Sequence, residues 1–158
     1  MGFFNKIKLI FSGAEGQAEA NIINALDYMT HQLSKKDMQR ADPDLLHSFA
    51  YGIASSAYSA ANPHAPDSDI VEKIFPLVRK VLRNYGLNGD GGHNSNATII
   101  GARYMNGVIY RDKVIYMSAI DSIVLLIEQN LYKEPKSMVW YIVVSIVATL
   151  VLLYILNM

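Results

Sequence analysis

No cysteine occurs anywhere in the 158 residues. That excludes a disulfide framework, thiolate zinc sites, iron–sulfur clusters and a cysteine nucleophile. Net charge is missing too, because fourteen basic residues stand against fourteen acidic ones. No whole-molecule field steers the chain toward nucleic acid, and no nucleic-acid partner is expected. The Gly-x-Ser-x-Gly elbow, the papain-type cysteine motif, the Walker lysine and the EF-hand spacing are all absent. The opening residues hold Lys6 and Lys8 inside their apolar run, so no clean secretory leader is expected. Beyond Lys136 the chain has no charge at all.

What stands there instead is one long apolar run. Met138 to Leu156 reads MVWYIVVSIVATLVLLYIL, nineteen residues without charge, Pro or Gly. At about 1.5 Å per residue, a helix of that length crosses a hydrocarbon core roughly 30 Å thick. Trp140 and Tyr141 at one end and Tyr154 at the other suit the headgroup level. Pro135 stops any preceding helix, and Lys133 and Lys136 form a basic flank. The expected topology is a single-pass tail anchor, with the N-terminal domain cytoplasmic and the C-terminus on the opposite side. Ser145, Ala148 and Thr149 lie at helical spacing within it, a small patch that permits close helix approach.

Residues 1–12 form a second membrane candidate. Phe3, Phe4, Ile7, Ile10 and Phe11 recur at helical spacing between Asn5, Lys6 and Lys8. The pattern fits an amphipathic helix in the bilayer interface, or a first helix packed on the core. Gly2 is no myristoylation site, because Lys rather than Ser or Thr occupies position six.

Residues 13–134 predict a mainly all-α domain. Ile22, Ile23, Leu26, Met29 and Leu33 make an apolar stripe along a helix over 15–35. Asp42-Pro43 starts another helix, reaching about Ala61, with Leu46, Phe49, Ile53 and Ala57 as its seam. Ala50, Ala54 and Ala57 are candidate interaction positions, since small residues let a neighbouring helix come close. After the turn at 62–66, Asp67 or Ser68 caps a third helix with a basic face of Lys73, Arg79, Lys80 and Arg83. Pro76 predicts a kink or a restart within it.

Gly86 to Ser95, GLNGDGGHNS, reads as a flexible connection rather than a phosphate or cation cradle. Residues 97–111 permit two readings. Ser95 or Asn96 can cap a helix that ends at Asn106-Gly107 in a left-handed turn. Asn106-Gly107 between apolar runs is also a hairpin signal, which gives an α+β alternative. Helix is the preferred reading. A last helix over 112–132 is nearly all apolar but interrupted by Asp121, so it is read as a buried central helix, with Arg103 or Tyr104 able to satisfy that carboxylate.

Chemistry-bearing residues are sparse. Asp27 with His31, and Asp44 with His47, stand one helical turn apart and are the candidate metal ligands. The paired Glu-x-x-His set of di-iron bundles is missing, and no catalytic residue or cofactor is expected. A helical domain with a terminal anchor shares its outline with the Bcl-2-like regulators. Their Asn-Trp-Gly-Arg signature is absent, the nearest stretch being Asn84-Tyr-Gly-Leu-Asn88. No residue role carries over.

The resulting expectation is a membrane-held accessory or adaptor subunit, not an enzyme, acting through helix-mediated contacts. Its partners are membrane lipid and a membrane protein or a second copy of the chain. Two alternatives belong to other classes: a membrane-active oligomer using the N-terminal helix, and a metal- or ligand-binding helical enzyme.

Overall fold

The computed structural model describes residues 13–132. The anchor (Trp140, Tyr141, Tyr154), its small patch (Ser145, Ala148, Thr149) and the interfacial candidates (Phe3, Phe4, Ile7, Phe11) lie outside the described residues. Within them the chain is all-α: α1 Ala14–Thr30, α2 Lys35–Arg40, α3 Pro43–Ala61, α4 Asp67–Asn84, α5 Ser95–Ile109 and α6 Lys113–Tyr132. The segment 97–111 is helix as far as Ile109, with Tyr110 and Arg111 in the turn that follows, and the described residues contain no strand.

The first stripe outruns its helix, and a short helix not predicted from the sequence follows it. α1 buries Ala18, Ile22, Ala25, Leu26 and Met29 along one face and stops at Thr30. Ser34 then caps α2, its Oγ accepting from the Asp37 amide at 3.1 Å. This Ser-x-x-Asp start is a helix-initiation signal inside what periodicity alone reads as one helix. Leu33, the last residue of the stripe, is buried in the turn between the two helices.

α3 is the central helix. Asp42 accepts from the Asp44 amide at 2.9 Å, and Pro43 occupies the first turn, as its sequence predicts. α3 buries residues around most of its circumference and packs most extensively on α5, then on α1 and α4. Two glycines make the α3–α5 crossing possible. A Cβ on Gly52 would lie 2.1 Å from the Thr98 carbonyl oxygen, and one on Gly101 would lie 2.1 Å from that of Phe49. The two backbones therefore meet with no side chain between them.

α4 runs unbroken through Pro76. Pro76 is exposed, so the carbonyl it leaves without a helical donor stands at the water-facing side. Neither Asp67 nor Ser68 caps α4; Pro66 holds the cap position, with no side-chain bond. The helix buries Ile74, Leu77, Val78, Val81 and Leu82 and ends at Gly86, whose φ of 81° is the left-handed conformation of a Schellman turn. The Leu87 amide donates to the Leu82 carbonyl at 2.9 Å across that turn.

α5 starts one residue before the expected cap: Asn94 Oδ1 accepts from the Ala97 amide at 3.1 Å. It does not end at Asn106-Gly107. The helix passes through that pair, and the left-handed residue is Arg111, with φ 56°. Gly107 serves packing instead, since a Cβ there would stand 2.5 Å from the Tyr116 backbone nitrogen.

α6 is capped by Asp112, whose Oδ1 accepts from the Val114 and Ile115 amides at 3.0 and 3.2 Å. It packs antiparallel to α5 and buries Ala119, Ile120, Ile123, Val124 and Ile127. Its other face is open: Val114, Leu125 and Tyr132 are 79%, 53% and 74% exposed. α6 is thus a one-sided helix rather than a buried central one. Asp121 is exposed and accepts from Gln32 at 2.9 Å, not from Arg103 or Tyr104. By length and composition alone α6 could cross a membrane, a test that a core helix also passes.

Candidate functional site

Three places on the bundle concentrate unusual residues. The first is a cleft of about 490 Å³ between α1 and the α5–α6 turn. Asn21, Asn24, Asp27, Tyr28 and His31 face it from one side of α1. Tyr104, Val108, Arg111, Lys113 and Tyr116 close the other side. The Tyr28 and Tyr104 rings both stand 6.0 Å from the Tyr116 ring, tilted at 37° and 71°. Tyr104 is buried and forms the floor; burial pushes its phenol up, with Tyr28 and Tyr116 adding to the effect. Asp27 accepts the hydroxyl of Tyr85, which is not among the lining residues, at 2.7 Å.

The second place lies where the 86–95 segment meets the start of α3. This segment is not a loose connection. The Asn94 amide donates to Ser48 Oγ at 2.7 Å, Ser48 Oγ donates to the Gly92 carbonyl at 3.2 Å, and the Gly92 amide donates to Asp44 Oδ1. Both Asp90 carboxylate oxygens accept from a single Arg83 nitrogen, Nη2, at 2.9 and 2.7 Å, and Asp90 lies 3.6 Å from Arg79. The Arg83 hydrogen bond holds the Asp90 carboxyl below its ordinary range. Gly91 sits so close that a Cβ would fall 2.3 Å from the Pro43 carbonyl oxygen.

His47 lies beneath this segment, only 1% exposed, its ring 4.6 Å from that of Phe75. Its Nε2 is buried without a hydrogen-bond partner among the described residues. Burial lowers its pKa and the nearby Arg79 lowers it further, against Asp44 and Asp90. The two candidate metal pairs are therefore in different surroundings: Asp27 and His31 line the cleft, while Asp44 binds a backbone amide and His47 is enclosed. Among the described residues no group of three or more His, Asp or Glu side chains converges for a metal ion.

The third place is a groove between α5 and α6, lined by Asn96, Ile99, Ile100, Ser122, Leu125, Leu126 and Gln129. Ile99 is 65% exposed and Leu125 53%. No sequence signal distinguished these two, because each belongs to an apolar run that also supplies buried residues. Ala50, Ala54 and Ala57, by contrast, are buried within the chain, where α3 meets its neighbours. The expected basic face of α4 is largely engaged. Lys80 lies 3.4 Å from Glu19, Lys73 donates to the Tyr58 hydroxyl at 3.2 Å, and Arg79 and Arg83 hold Asp90.

Together these features make the described residues an all-α bundle with an apolar groove on α5–α6 and a tyrosine-lined cleft. Compared with known proteins, the chain matches no family model, no curated protein and no solved structure.

Proposed function

We propose that the chain is a tail-anchored accessory subunit whose α5–α6 groove receives a helix of a membrane-protein partner at the cytoplasmic surface. The supporting observation is the exposed apolar pair Ile99 and Leu125 on a groove whose other lining residues are polar or half-buried. A hydrophobic groove between two helices is the kind of surface into which an amphipathic helix lays its apolar face.

Position strengthens the reading. Leu125 lies seven residues before Tyr132, about 10 Å along the helix. Only residues 133–137 separate Tyr132 from the apolar run that begins at Met138, a reach of at most roughly 20 Å. With that run in a bilayer, the groove stands near the membrane surface, where tethering raises the effective concentration of a membrane-bound partner.

The test uses the full-length chain extracted gently from its own membranes, beside an Ile99→Ser/Leu125→Ser variant. A partner co-purifying at fixed stoichiometry with the parent and lost from the variant is the expected result. The variant must still sediment with membranes after carbonate washing. A partner retained at equal yield by the variant removes the groove from the function. Release of the parent chain by carbonate removes the anchor.

A further inference from the structure

We infer that the cleft between α1 and the α5–α6 turn is a binding site for a planar aromatic molecule carrying a carboxylate or other acidic group. The cavity of about 490 Å³ lies within the usual range of small-molecule sites. Its walls divide the labour between ring and charge. Tyr28 and Tyr116 present two rings with centroids 6.0 Å apart over the buried Tyr104, a surface on which a flat ring gains stacking and edge contacts. Arg111 and Lys113 stand at the same cleft, and among the described residues neither makes an ion pair.

The carboxylate that lines the cleft is Asp27, whose Oδ1 accepts the Tyr85 hydroxyl, while Asp112, between the two cations in sequence, caps α6 through its Oδ1. The cleft therefore offers cations to an occupant while its own carboxylate has a different partner. An acidic group seated by Arg111 and Lys113 gains charge-assisted hydrogen bonds, and a guanidinium accepts a carboxylate through two parallel bonds. Arg111 also occupies a left-handed backbone position, φ 56°, where glycine is the unstrained residue. Arg111 therefore carries a backbone strain that glycine in its place would not.

Asn21 and Asn24 add polar groups to the wall formed by α1. The Asn21 amide is bonded to the Gln17 carbonyl at 2.9 Å, which leaves the Asn24 amide to meet polar edges of the ring. His31 at the rim supplies a further nitrogen. This site is separate from the α5–α6 groove and does not depend on the accessory-subunit reading.

The experiment places the full-length chain in nanodiscs of neutral lipid, with empty discs as the blank. Fluoronaphthoate and its uncharged amide are titrated in parallel and read by fluorine NMR. Saturable one-to-one binding of the naphthoate is expected, with the amide about tenfold weaker. Arg111→Gly/Lys113→Gln should bring the naphthoate down to the amide's affinity, and Tyr28→Leu should weaken both probes. Arg111→Gly suits the local backbone, and Lys113→Gln alone is a second variant should the double one melt early. Equal affinity for acid and amide, or no saturation beyond the empty discs, overturns the assignment. So does full loss of binding in Ile99→Ser/Leu125→Ser, because that places the probe in the groove.

Discussion

At the scale of single residues, His47 carries the most consequential environment. Enclosed against Phe75, with Arg79 close and Asp44 and Asp90 too weak to offset burial, its imidazole is held neutral in the folded chain. The unfolded chain takes up the proton from about pH 6.5 downward, so it binds more protons than the folded chain in that window. Stability is therefore expected to fall as pH drops below that value. Denaturant unfolding of the full chain at a series of pH values measures this, and His47→Phe should flatten the slope between pH 7 and 5. Tyr85 behaves oppositely. Burial and the Asp27 carboxylate push its phenol up to about 12, so stability is lost as pH rises above 10. Tyr85→Phe removes the hydroxyl bonded to Asp27 and should cost about 1 kcal/mol near neutral pH. Nothing in the sequence around His47 distinguishes it from the exposed His31, His64 and His93, since enclosure is set by Phe75 and the 86–95 segment, both far along the chain.

At the scale of elements, the α3–α5 crossing and the pinned 86–95 segment carry the fold. Gly52→Ala or Gly101→Ala forces a methyl group into a facing carbonyl, and each should destabilise the chain by about 3 kcal/mol. Thermal melting followed by circular dichroism checks this, with Gly13→Ala, which meets nothing within 4 Å, as the comparison. Gly91→Ala should act differently. It lifts the segment from Pro43 and His47, so amide hydrogen exchange should rise at Gly92 and Asn94 before it rises in α1. The starts of α3 and α6 are legible because an Asp cap acts on amides two or three positions ahead. The start of α2 was legible too, in Ser34 and Asp37, but hidden under a stripe that runs on to Leu33. Asn106-Gly107 misleads for the converse reason. Its local preference is a turn, yet packing on Tyr116 keeps Gly107 in helix.

At the scale of the whole molecule, the exposed apolar residues are unevenly shared. Ile99, Ile109, Tyr110, Val114, Leu125 and Tyr132 all belong to the α5–α6 hairpin and its turn. Ile99→Ser/Leu125→Ser replaces side chains that are mostly in water, so its melting temperature should stay within about 2 °C of the parent. The 1–134 chain, lacking the apolar run from Met138, should leave the membrane fraction while its helical content persists. Circular dichroism of the soluble fraction and its sedimentation state check both points. Association suppressed by the serine pair would identify the groove as its cause.

Local sequence alone is enough to make residues 13–132 helical, to start most of the helices, and to mark most of the inward stripe of α1, α3 and α4, though Ile23 of the first stripe is exposed. Those properties come from neighbours within one or two turns: an Asp or Asn cap, a 3.6-residue apolar period, a proline or glycine at an end. Only the tertiary structure decided that Gly52 and Gly101 face one another's helix backbones, that GLNGDGGHNS is held down over His47, that three tyrosines share a cleft with Arg111, and that Leu125 stays in water. Each of these depends on residues brought together from distant positions. A helix that is apolar nearly all round, such as α6, carries no local mark of which face its neighbours will leave uncovered.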